Sequence, residues 1–94
     1  MNSELQSRVL DILTLEGTIP EECSFVMGAF TYVWIPEVQF RTLAIHSDEL
    51  NRACREYLLA QGRVFASYEE AEKVVISEKW PGWEQLVAPN RHKS

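Results

Sequence analysis

Apolar residues along the first stretch of the chain recur at helical spacing. Leu5, Val9, Ile12 and Leu13 form one stripe, which predicts an amphipathic helix over residues 3–15. Ser3 suits its N-cap, Glu4 sits near the positive end of the helix dipole, and Gly17 offers a C-terminal stop. Thr18 to Glu22 reads as a connector in which Pro20 and two acids can open a short helical turn. The pattern then changes. Residues 25–35 are rich in β-branched and aromatic side chains, which suit a pleated, buried surface. A straight strand of that length would run about 36 Å, longer than such a domain is wide, so a bend, bulge or break is expected near Gly28. Pro36-Glu37 marks a turn, and residues 38–45 alternate as a second strand antiparallel to the first. The competing assignment makes 20–35 a buried helix in an all-α chain, because short apolar runs do not separate the two by periodicity.

Two further helices follow. Ser47 or Asp48 caps one over 48–61, with Leu50, Ala53, Cys54, Tyr57 and Leu58 as its apolar stripe and Gly62 as its end. Arg63 to Ala66 is an extended connector or a third strand. Ser67 and Glu70 form a capping box that opens a helix over 67–79, with Tyr68, Ala71, Val74 and Val75 inward. Pro81-Gly82 stops it, and Trp83 to Val87 adds a last turn. The pattern therefore predicts one α+β domain over residues 1–89, about three helices packed on a short antiparallel hairpin, with 90–94 as a flexible polar tail.

One consequence concerns partners. Read as a single strand, 25–35 is apolar on both faces: Phe25, Met27, Ala29, Val33 and Ile35 on one, Val26, Phe30, Tyr32 and Trp34 on the other. One helical layer covers only one face of a sheet. The other must meet the remaining helices, a second subunit or a partner.

Composition narrows the functional classes. The chain has 94 residues and a net charge of −5, from fourteen acids against nine bases, which disfavours phosphate backbones and anionic lipid headgroups. Its longest apolar run, Phe25 to Ile35, is too short to span a bilayer, and the N-terminus lacks a basic segment followed by an apolar one. Two cysteines, Cys23 and Cys54, belong to no CxxC or Cys/His spacing, so a disulfide scaffold is not expected and the cytoplasm is the expected compartment.

Candidate chemistry is sparse. Cys54 lies in an apolar stripe, and His46, eight residues earlier, is about 12 Å away along a helix, beyond direct hydrogen bonding. Cys23 neighbours Glu21 and Glu22, whose charge makes it a poorer nucleophile. The paired acids Glu21-Glu22, Asp48-Glu49 and Glu69-Glu70 all sit at helix starts, where the dipole accounts for them. His46 and His92 are too far apart in sequence to suggest a metal site, and no glycine-rich phosphate loop is present. No cofactor is expected. A third reading, a DNA-binding regulator with 48–61 and 67–79 as a helix-turn-helix, is disfavoured by charge, because the second helix opens with Glu69, Glu70 and Glu72 where a DNA reader needs cationic or amide groups.

Aromatic surface remains. Trp80 and Trp83 flank a helix stop, and Trp34, Tyr32 and Phe30 share a strand face; these five are candidate interface residues, since tryptophan and tyrosine are enriched at binding hot spots. The alternative is that the Trp80/Trp83 pair simply closes a thin core. The expectation is a non-enzymatic regulatory or adaptor protein that binds another protein, as a homodimer, without nucleic acid or membrane. The rival is a small-molecule-binding protein or small enzyme with an aromatic pocket near Tyr32, Trp34 and Tyr57, using Cys54 or His46 as a polar group.

Overall fold

The computed structural model describes residues 3–87; the polar tail expected at 90–94 lies outside the described residues. Its elements in order are helix α1 (Ser3–Leu13), a 3-10 turn (Glu21–Cys23), strands β1 (Ser24–Met27), β2 (Phe30–Ile35) and β3 (Gln39–Thr42), helices α2 (Asp48–Ala60) and α3 (Tyr68–Ser77), and a second 3-10 turn (Trp83–Leu86). The fold is a small α+β domain with an antiparallel sheet of order β1-β2-β3. Residues 20–35 are not a helix.

The run 25–35 is two strands, not one. Met27 pairs with Phe30 across a two-residue loop, Gly28-Ala29. Gly28 has φ 63° and Ala29 is not in the left-handed region, the signature of a Gly-first hairpin turn whose twist matches the flanking strands. The reversal changes which side chains share a face. Phe25 lies opposite Tyr32, and Val26 opposite Thr31. Phe25 and Met27 therefore join Phe30, Tyr32, Trp34 and Phe40 on one face, while Val26 joins Val33 on the other. The single-strand parity above is thus corrected.

Both faces are covered within the chain. On one, Phe25 and Trp34 pack with Ala71 and Val75 of α3, Trp80 and Leu86. On the other, Val26 packs with Val9 and Leu13 of α1 and Cys54 and Leu58 of α2. Of the covers expected for the second face, remaining helices, a second subunit or a partner, the structure supplies the first: α3 fills it. β1 is closed on its outer side: the Val26 N–H donates to the Arg63 carbonyl at 3.0 Å and the Phe65 N–H to the Val26 carbonyl at 2.9 Å. Arg63 to Phe65 thus adds a parallel bridge at Val64 rather than a full strand. β3 is the other edge.

The caps follow the sequence. Ser47 and Ser67 accept from the Leu50 and Glu70 N–H groups at 3.2 Å each, and the Glu70 carboxylate accepts from the Ala66 N–H, one residue before the Ser67 cap, a variant of the capping box. Helices α1 and α3 and strand β3 end a few residues sooner than their apolar patterns suggest. Ser24, fully buried, donates its hydroxyl to the Leu13 carbonyl and ties the end of α1 to β1.

Candidate functional site

Neither cysteine is arranged for nucleophilic chemistry. Both are buried free thiols, and desolvation pushes each pKa from 9.0 up to about 11. At Cys23 the nearby Glu22 and Glu78 add to that rise while Arg63 opposes it. His46 is exposed ahead of α2, whereas Cys54 faces the core. Among the described residues no group of three or more His, Cys, Asp or Glu side chains is placed to hold a metal, and no helix is long and apolar enough to cross a membrane. The rival pocket does not assemble: Tyr32 and Trp34 belong to the α3 side of the sheet, and Tyr57 to the α1/α2 side. For the same reason α2 and α3 pack on opposite faces of the sheet rather than against each other as a DNA-reading pair.

The five candidate interface residues separate by burial. Trp34 is 0% exposed, and its indole N–H donates to the Pro81 carbonyl at 2.7 Å. Trp80 is 4% exposed, with its ring 6.4 Å from that of Phe25 and its indole N–H on Glu78. These two are core residues of the folded chain. Trp83 is half-buried beneath Lys79, whose ammonium lies 5.8 Å from its ring centroid. Tyr32 is half-buried and Phe30 is 59% exposed.

Sequence reasoning missed Tyr68 as surface. Placed inward by its helical spacing, it is 48% exposed on the first turn of α3. Its ring meets Tyr32 edge-on at 5.7 Å and tilts over Phe40 at 5.4 Å. Hydrogen bonding to the Tyr32 hydroxyl, then desolvation, raises the Tyr68 pKa. Phe30, Tyr32, Tyr68 and Phe40 thus form an aromatic strip along one sheet face, ending at β3.

Among the described residues nothing pairs with the outer edge of β3. The Leu43 N–H donates to the Thr31 carbonyl at 2.8 Å, so by antiparallel alternation residues 39, 41 and 43 turn their backbone groups toward β2. Those of Phe40 and Thr42 point outward. The edge carries no proline, and Val38 beside it is 53% exposed.

A different feature lies across the domain. A concavity of about 250 Å³ opens between the connector after α1, the β2–β3 turn and Pro81, with Cys23 and Trp34 at its floor. A shallower groove of about 280 Å³ between α1 and α2 is lined by Leu5, Val9, Ala53 and Tyr57. Comparison of the chain with protein-family models, with curated proteins and with solved structures gives no match.

Proposed function

We propose that this chain is a non-catalytic regulatory or adaptor module that works by protein–protein contact, with a second copy of itself as the first partner, joined edge to edge through β3. The observation that carries this reading is the open β3 edge flanked by the Phe30–Tyr32–Tyr68–Phe40 strip. Unpaired strand edges are templates for strand addition; the left-handed Gln39, φ 72°, distorts only the first residue of this one and leaves Phe40 to Thr42 as the template. Local charge favours a second copy. The chain is acidic, yet residues 38–47 hold no carboxylate and one full charge, Arg41. Two copies meeting there keep their acids apart, and a two-fold axis at Phe40 places Arg41 opposite Gln39 of the other copy rather than opposite another arginine.

The test is the oligomeric state of Thr42→Pro by light scattering. Its ring removes an N–H that points away from β2, so the internal ladder is kept while strand addition is blocked. A dimer that becomes a monomer with unchanged circular dichroism supports the reading. A wild-type chain that stays monomeric at high concentration, or a dimer indifferent to Thr42→Pro, overturns it.

A further inference from the structure

We propose that the concavity bounded by Leu15 to Pro20, the Ile35–Glu37 turn and Pro81 is a binding site for a small molecule joining a flat apolar ring to a cationic amine. The reading is independent of the β3 edge. The size fits: a dry cavity of about 150 Å³ accepts benzene, and this one, at about 250 Å³, has room for a ring and a short arm.

The chemistry of the lining selects the charge. Pro20, Pro36 and Pro81 offer no backbone N–H, no lining residue is cationic, and the Thr18 hydroxyl is spent on the Leu15 carbonyl at 2.9 Å. Among the lining side chains only the Cys23 thiol, a weak donor, is left to meet an anion. Glu37, on the exposed turn, supplies a carboxylate at the rim, and the charges of Glu22 and Glu78 reach the Cys23 thiol at the floor against that of Arg63. The walls are pre-formed. Trp34 holds Pro81 by its indole N–H, and Gln85 donates to the Pro36 carbonyl at 2.7 Å.

A second observation falls on the same wall. Leu15, Glu16 and Gly17 are consecutive left-handed residues, with φ of 49°, 56° and 87°. Ending a helix requires one such residue; three, two of them bearing side chains, exceed that need and leave two L-residues strained. The conformation is held by the Gly17 N–H on the Thr14 hydroxyl at 2.9 Å and the Ile19 N–H on the Thr14 carbonyl at 3.0 Å. Its structural product is a wall that presents Leu15 and Ile19 to the concavity.

The experiment follows the Trp34 indole N–H by NMR while benzylamine, benzyl alcohol or benzoate is titrated into the full chain. Benzylamine shifts that signal saturably, benzyl alcohol does so about two- to fivefold more weakly, the worth of one exposed ion pair, and benzoate more weakly still. Glu37→Gln brings benzylamine down to the level of benzyl alcohol and leaves the alcohol unchanged. Thr18→Trp, at an exposed position over the mouth, abolishes both. The proposal is overturned by no saturable shift with any ring, by benzoate equalling benzylamine, or by binding that survives Thr18→Trp in a folded chain. Were Thr18→Trp to unfold, Glu37→Gln alone decides: an unchanged preference for the amine overturns the site.

Discussion

The Trp34 indole N–H donates to the Pro81 carbonyl across 47 residues of sequence, at 2.7 Å, and so fastens the middle of the sheet to the segment that follows α3. Gln85 and Gly82 reinforce that fastening, the first by its bond to the Pro36 carbonyl and the second by lying so close to Pro36 that a Cβ would come within 2.9 Å. Trp34→Phe leaves a void and an unmet carbonyl, and should lower unfolding free energy by about 2–3 kcal/mol in urea titrations.

Trp80 and Trp83, equivalent in the sequence pattern, should separate by experiment. Trp80→Ala empties a buried ring site packed on Phe25 and should cost about 3–5 kcal/mol. Trp83→Ala removes a half-buried ring and should cost markedly less. Equal losses in denaturant midpoint would contradict this placement.

How much of this was legible beforehand depended on range. Local signals carried through: Ser47 and Ser67 cap as their positions imply, and Gly28 breaks the apolar run where length demanded it. What failed was the consequence of that break. Turning the chain at Gly28-Ala29 reverses the in/out parity of every later residue relative to Phe25, a property of register that single-strand periodicity does not contain. The sheet is indeed apolar on both faces, but the parity misassigned their members, and periodicity does not contain the choice of side for α3 that covers the second face. The open β3 edge and the Leu15–Glu37–Pro81 concavity arise from contacts between distant segments, and no motif announces either.

Helices α2 and α3 close with the same hydrogen-bond pattern and different residues. After α2, Gly62 holds φ 75° while the Arg63 N–H reaches the Leu58 carbonyl at 3.0 Å; after α3, Lys79 holds φ 55° while the Trp80 N–H reaches the Val75 carbonyl at 3.0 Å. Lys79→Gly should therefore stabilise the protein by about 0.5–1 kcal/mol, read as a raised Tm, with its loose cation–π contact to Trp83 a small opposing loss.

Alkaline pH should destabilise the domain through its thiols. Cys23 and Cys54 keep their protons in the folded chain until about pH 11, but release them near 9 when unfolded. The native state then binds more protons than the unfolded one, so unfolding free energy falls as pH rises from about 9 to 11 and is flat just below. Urea titrations across that window should show the slope, and the Cys23→Ala, Cys54→Ala double variant should make it shallower, Tyr57 and Tyr68, both raised from 10.0, keeping a residual slope at its upper end.

The Tyr57 hydroxyl donates to Glu21, and Arg63 lies 3.9 Å from the same carboxylate. The Arg63 Nε and Nη2 atoms are buried without a hydrogen-bond partner, which makes Glu21 their nearest compensation. Tyr57→Phe should cost about 1 kcal/mol, and Glu21→Ala more than Tyr57→Phe, because it also strips the neighbouring cation of its counter-charge. Thermal melts of the two variants give the comparison.

The two-sided core also permits an order of assembly. Every residue packed on the α1/α2 side lies between Val9 and Leu58, whereas the α3 side draws on residues as late as Leu86. A chain made from its N-terminus can close the first half-core while the second is still unmade. Until Trp80 and Leu86 arrive, Phe25, Tyr32 and Trp34 form a bare aromatic face on a sheet already in register. The last quarter of the protein is thus its own cover for the most adhesive surface it has, and a chain stopped after α2 would expose that surface to any neighbour.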